Sequence, residues 1–151
     1  MRRAVILACG VVIGVLALAA PARAACSIGT TAVGFGAYDV FASTPRDSTG
    51  TITYRCSQGN PVTIFLSKGG AATFNPRQMV KAGGEALTYN LYLDASRTTI
   101  WGDLTGGTSA YTNASPPRNQ DNPVTIYGRI PAGQDVSAGS YGDTITATIN
   151  F

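Results

Sequence analysis

The chain has 151 residues, a formal net charge of +3 and no histidine. That length holds one domain plus a removable segment, and the missing histidine excludes Ser-His triads, Cys-His dyads and His-bearing metal sites. Three of the arginines, Arg2, Arg3 and Arg23, lie in the first segment; without them Lys+Arg falls to the 8 of Asp+Glu, and no basic patch is left to suggest nucleic acid or an anionic membrane.

That first segment reads as a signal peptide over residues 1–24. Arg2 and Arg3 form a positive start, residues 4–20 are an apolar run, and Ala22-Arg23-Ala24 after Pro21 is a small-residue cleavage site. The small residues and the proline argue against an uncleaved anchor. Arg23 argues against lipid attachment at Cys26, because it occupies a place that wants an aliphatic residue. Cleavage after Ala24 leaves a domain of residues 25–151 and removes Cys9. The remaining Cys26 and Cys56, in an exported domain, are expected to form one disulfide. Closing a loop of about 30 residues stabilises by roughly 3–4 kcal/mol on chain-entropy grounds.

Residues 33–39 read as a short strand with two glycines. Residues 43–50 read as a loop by composition. Thr51 to Cys56 alternates, with Ile52, Tyr54 and Cys56 on one face, and after a tight turn at 57–61 the alternation resumes at Val62, Ile64 and Leu66. Together these predict a hairpin. Residues 73–80, between two Gly-Gly pairs, are weakly strand-like. Residues 86–94 are the clearest central strand, with Leu87, Tyr89, Leu91 and Leu93 inward. Residues 99–101 form a further short strand, and the Gly/Ser/Pro-rich stretch 106–122 is a long connection. Residues 123–130 form the penultimate strand, with Val124, Ile126 and Ile130 inward and Pro123 at its tolerated first position. The last stretch, Thr144 to Phe151, alternates strictly: Ile145, Ala147, Ile149 and Phe151 share one face. It stops on the apolar side, so this strand must find neighbours already made or in another chain. No segment after residue 24 sustains a helical period. The fold class is therefore all-β, a sandwich.

Candidate chemistry is sparse. The acids Asp39, Asp47, Glu85, Asp94, Asp103, Asp121, Asp135 and Asp143 lie almost all beside Gly, Ser or Pro, where turn formation explains them better than a glycosidase carboxylate pair. Trp101-Gly102-Asp103 fits a tryptophan starting a turn over the core better than a sugar-stacking platform. Tyr38, Tyr89, Tyr127 and Tyr141 fit as sandwich fillers with their hydroxyls at the rim. No catalytic residue, metal or cofactor is expected.

Several motifs resemble the spore coat protein U domain family. They are Cys26, Phe35-Gly36-x-Tyr38-Asp39 and Gly50-x-Ile52-x-Tyr54-x-Cys56; then Pro76-Arg77-Gln78-Met79, Leu87-x-Tyr89-Asn90-Leu91-Tyr92-x-Asp94 and Trp101-Gly102-Asp103; then Tyr127 to Gln134 and Gly139-x-Tyr141-x-Asp143-Thr144. The resemblance covers nearly all of residues 25–151. It implies an immunoglobulin-like β-sandwich of pilin type, incomplete and lacking its final strand, in a subunit of archaic chaperone–usher pili. Its implied partners are a periplasmic chaperone that lends a strand, an outer-membrane usher and other pilus subunits. Its implied destination is a cell-surface fibre reached through the periplasm. On that reading Ile145, Ala147, Ile149 and Phe151 line the groove for the missing strand. The chain departs from shaft subunits, which carry an alternating apolar extension before the first cysteine. Here only Ala25 would precede Cys26, so the expectation is a subunit that accepts a strand without giving one, placed at a fibre tip with an adhesive role. The alternative is a self-contained secreted carbohydrate-binding or coat module.

Overall fold

The computed structural model describes residues 25–151; the expected signal peptide lies outside them. Eight strands run in chain order: β1 (Cys26–Thr31), β2 (Arg46–Cys56), β3 (Val62–Leu66), β4 (Arg77–Val80), β5 (Ala86–Tyr92), β6 (Tyr111–Asn113), β7 (Asn122–Ile130) and β8 (Ala147–Asn150). They form a five-stranded sheet ordered β1-β2-β7-β5-β4 and a three-stranded sheet ordered β6-β3-β8. Every pairing is antiparallel. Period-two burial drives the packing. Ile52, Tyr54 and Cys56 from β2, Val62, Ile64 and Leu66 from β3, Leu87, Tyr89 and Leu91 from β5 and Val124, Ile126 and Ile130 from β7 meet in one core. The fold is an immunoglobulin-like β-sandwich of pilin type in which one strand's place is open.

Five sequence expectations need correction. Residues 33–39 form no strand; instead Val33 and Phe35 lie across the inner face of the five-stranded sheet. They fit there because Gly50 and Gly128 present no side chain: a Cβ on Gly128 would stand 2.6 Å from Val33 Cγ1 and 2.7 Å from Phe35 Cζ, and one on Gly50 would stand 2.8 Å from Val33 Cγ2. The first strand is β1, earlier in the chain. The loop expected over 43–50 is strand from Arg46 onward, because Asp47 sits opposite Arg129 in the β2–β7 register and accepts two hydrogen bonds from its guanidinium at 2.7 and 2.8 Å. A cross-strand pair of this kind overrides turn-like composition. The expected 51–66 hairpin is a corner between sheets, since β2 pairs with β1 and β7 while β3 pairs with β6 and β8. The strand expected over 99–101 is only a pair of isolated bridges, Ile100 to Tyr92 and Trp101 to Ser109, and the long connection contains β6.

One buried cation ties the two sheets together. Arg77 is fully buried. Its Nε and Nη2 donate to the Ser67 carbonyl at 3.1 and 3.0 Å, Nη2 to the Trp101 carbonyl at 2.6 Å and Nη1 to Asn90 Oδ1 at 2.7 Å. Asn90 in turn donates to the Phe74 carbonyl at 2.9 Å. Burial pulls the Arg77 guanidinium below its ordinary pKa. Trp101, also fully buried, donates its indole N–H to the Ile64 carbonyl at 2.9 Å, so it is core and no sugar platform.

Candidate functional site

The site grows from the way β8 is held. The Ser67 N–H donates to the Thr146 carbonyl at 2.9 Å just past the β3–β8 ladder. Bonded positions alternate along an antiparallel strand. The backbone groups of Thr148 and Asn150 therefore turn toward β3, and those of Ala147 and Ile149 turn toward the other edge. Among the described residues no strand pairs with that edge.

Upstream of β8 the alternation continues without a ladder. Tyr141, Asp143, Ile145, Ala147 and Ile149 are each half-buried, while Gly142, Thr144, Thr146, Thr148 and Asn150 are exposed. This rail forms one wall of a cleft of about 470 Å³; the opposite wall is Thr30 to Val33, where the chain leaves β1. The floor is the sandwich core itself, with Phe35, Ile52, Leu66, Leu91 and Ile126 among its residues. A second cleft of about 710 Å³ adjoins it, sharing Val33, Phe35, Met79 and Tyr141 and reaching Phe41, which is 93% exposed.

The segment carrying the rail is pinned at several points. Val80 and Gly142 exchange both backbone hydrogen bonds, at 2.9 and 3.2 Å, which docks it on β4. The Tyr89 hydroxyl donates to Asp143 Oδ2 at 2.7 Å, and the Gly70 and Thr144 N–H groups donate to Oδ1 at 2.9 and 2.8 Å. Burial, reinforced by the Asp143 carboxylate, pushes the Tyr89 hydroxyl pKa well above the usual tyrosine value. Lys81 pairs with Glu85 at 2.6 Å and reaches the Ser137 hydroxyl, while the Ser137 N–H donates to Glu85 Oε1 at 2.9 Å. The Lys81 ammonium and the Ser137 donors together hold the Glu85 carboxyl down to about 2. Gln134 binds both backbone groups of Thr88 with its amide, at 2.8 and 2.9 Å, standing in for a strand neighbour.

Of the residues predicted for the groove, Ile145 and Ala147 line the first cleft. Ile149 packs half-buried against the core further along β8. Phe151 follows the strand and is 49% exposed. Cys26 and Cys56 are disulfide-bonded, joining β1 to the end of β2. Sequence reasoning missed Asp143 and Tyr89 as groove residues. Asp143 was legible in principle, being two positions before Ile145 on the same face.

The Spore Coat Protein U domain family model matches residues 13–148. The chain belongs to this family. Protein U of Myxococcus xanthus is 34% identical over 143 residues, spanning 84% of this chain and 78% of its own. In fold, the chain is similar to one in the crystal structure of the CsuC–CsuE chaperone–tip adhesion subunit pre-assembly complex, from archaic chaperone–usher Csu pili of Acinetobacter baumannii. That match has a TM-score of 0.62 at 24% identity and covers 85% of this chain but 40% of that one. The Spore Coat Protein U motifs acquire physical roles here. Arg77, Asn90 and Trp101 build the buried arginine network. Tyr38 donates to the Pro131 carbonyl at 2.9 Å and accepts from the Gln134 N–H at 3.0 Å. Gly128 makes room for Phe35, and Asp143 anchors the rail.

Proposed function

We infer that this chain is a non-enzymatic structural subunit of a chaperone–usher surface fibre, a pilus, assembled by donor-strand complementation. A periplasmic chaperone lends a strand to the groove, an outer-membrane usher presents the subunit for assembly, and a neighbouring subunit's strand replaces the loan. The observation that carries this reading is the unpaired edge of β8 beside a cleft floored by the core. An open ladder beside an apolar-lined cleft is a template for another strand and an aggregation hazard without one. Ile145, Ala147 and Ile149 supply the receiving face, with Phe151 at its far end. Cleavage after Ala24 and export belong to the same proposal, and N-terminal sequencing of the secreted protein tests them. Placement at a fibre tip with an adhesive role is its narrower form. It follows from that cleavage, and immunogold label spaced along the shaft would overturn it.

The central test is Ile145→Asp, co-expressed with a periplasmic chaperone. A carboxylate on the inward face would be buried unpaired by the incoming strand, at a cost of several kcal/mol. Co-purification should be lost; a complex recovered in normal yield refutes the assignment of this edge. The second reading, a self-contained coat or carbohydrate-binding module, draws on the 34% identity to Protein U. The two separate on stability: the fibre reading expects the isolated domain to melt well below the strand-filled domain, and the module reading expects no difference.

A further inference from the structure

The rail beside the open cleft has a period-two face that reads Tyr141, Asp143, Ile145, Ala147, Ile149. Four of the five are aromatic or aliphatic, and Asp143 is the single charged residue lining the first cleft. Its carboxylate accepts from the Tyr89 hydroxyl and from the Gly70 and Thr144 N–H groups, all neutral donors. Among the described ion pairs none involves Asp143. The field of Arg77 reaches it, but every described hydrogen bond of that guanidinium goes to Ser67, Trp101 or Asn90. A carboxylate has room for about four hydrogen bonds, and three are used.

We propose that Asp143 sets the register of the strand that fills this groove, by requiring a lysine or arginine at the facing inward position of an otherwise apolar donor. The proposal rests on the strand-accepting reading above. A strand laid along the rail expels water from the cleft, and an ionised carboxylate enclosed without a cation is costly. A cation opposite Asp143 removes that cost at one register only. Sliding the strand by two residues would keep its apolar face inward but place the cation against Ile145 or Tyr141. An apolar rail alone tolerates such slips, because any even shift preserves the pattern. One polar position in an apolar seam fixes the register, as a buried polar residue does in paired helices.

The test uses the secreted protein and synthetic eleven-residue peptides with alternating valine and threonine. One inward valine is replaced in turn by lysine or by uncharged norleucine, and binding is read by fluorescence anisotropy. The expected result is one lysine position that binds at least tenfold tighter than the other lysine positions. Asp143→Asn should abolish that preference and tighten binding of the norleucine peptides, because no carboxylate is then enclosed without a cation; their binding also shows that the variant is folded. Binding that is indifferent to lysine position, or tightest for norleucine at every position, overturns the inference and leaves the groove standing. A position preference that survives Asp143→Asn overturns the role of Asp143. No binding by any peptide refutes the groove itself, and the inference with it.

Discussion

Replacing Arg77 by methionine tests how the sandwich is held shut. The substitution keeps most of the side-chain volume but removes the donors. The Ser67 and Trp101 carbonyls lose the guanidinium bonds described here, while Asn90 Oδ1 keeps its bond from the Leu91 N–H at 3.0 Å. Each orphaned buried acceptor costs about 1–3 kcal/mol, so two carbonyls cost roughly 2–6 kcal/mol. Relief of a desolvated cation offsets part of this, leaving a net loss of about 2–4 kcal/mol from a domain stability of order 5–15 kcal/mol. Trp101 is the only tryptophan and is fully buried, so its fluorescence reports urea unfolding directly. With a urea slope of about 1–3 kcal/mol/M, the midpoint should fall by roughly 1–3 M. Arg77→Lys should lose stability too, since one ammonium cannot reproduce a planar fork spanning three acceptors. An Arg77→Met midpoint equal to that of the parent would refute the argument, because the carbonyls would then have found other donors.

Three further outcomes are expected. Gly69→Ala forces a side chain at a φ of +67° and places its Cβ 2.5 Å from the Asp143 carboxyl carbon; thermal unfolding should show a loss of about 2 kcal/mol or more, and an unchanged Tm would contradict the packing. Cys56→Ser should cost about 2–5 kcal/mol, read as reduced periplasmic yield, and two free thiols in non-reduced peptide maps of the parent would remove the premise. The Glu85 carboxyl, held at about 2 against an ordinary 4.5, contributes stability fully present above about 4.5 that is lost as pH falls toward 2. The protection factor of the Ser137 amide, taken against its intrinsic exchange rate, should fall across that window in the parent, and Glu85→Gln should flatten the dependence.

The sequence made the inward faces of β2, β3, β5 and β7 plain, since each is a run of alternating large apolar residues with little else to satisfy. It did not reveal which sheet each strand joins. A turn between two alternating runs looks the same whether the second strand folds back on the first or crosses to the opposite sheet, as β3 does. Val33 and Phe35 also alternate, yet they lie over two glycines instead of in a ladder, and periodicity cannot distinguish the cases. Asp47 reads as a loop residue by composition, and only its cross-strand partner Arg129 makes it part of a strand. Arg77 shares the inward face of β4 with Met79, and periodicity in so short a strand does not single out a buried cation. In the candidate site, Ile145 and Ala147 followed from the last alternating run. Asp143 did not, because it stands before the ladder begins and its partners Tyr89 and Gly70 are far away in sequence.

The disulfide has a mechanical consequence. Among the described residues β1 is an edge strand that pairs with β2 alone, and antiparallel edge strands pulled from one end come away one rung at a time. Cys26 is opposite Cys56 in the first rung of that ladder, and the two sulfurs are bonded. Tension entering through Ala25 cannot unzip β1 from its leading end; it passes at once to the end of β2, which lies between β1 and β7. The load is spread over an interior strand whose rungs must yield together, and a reducing agent would convert that resistance into peeling.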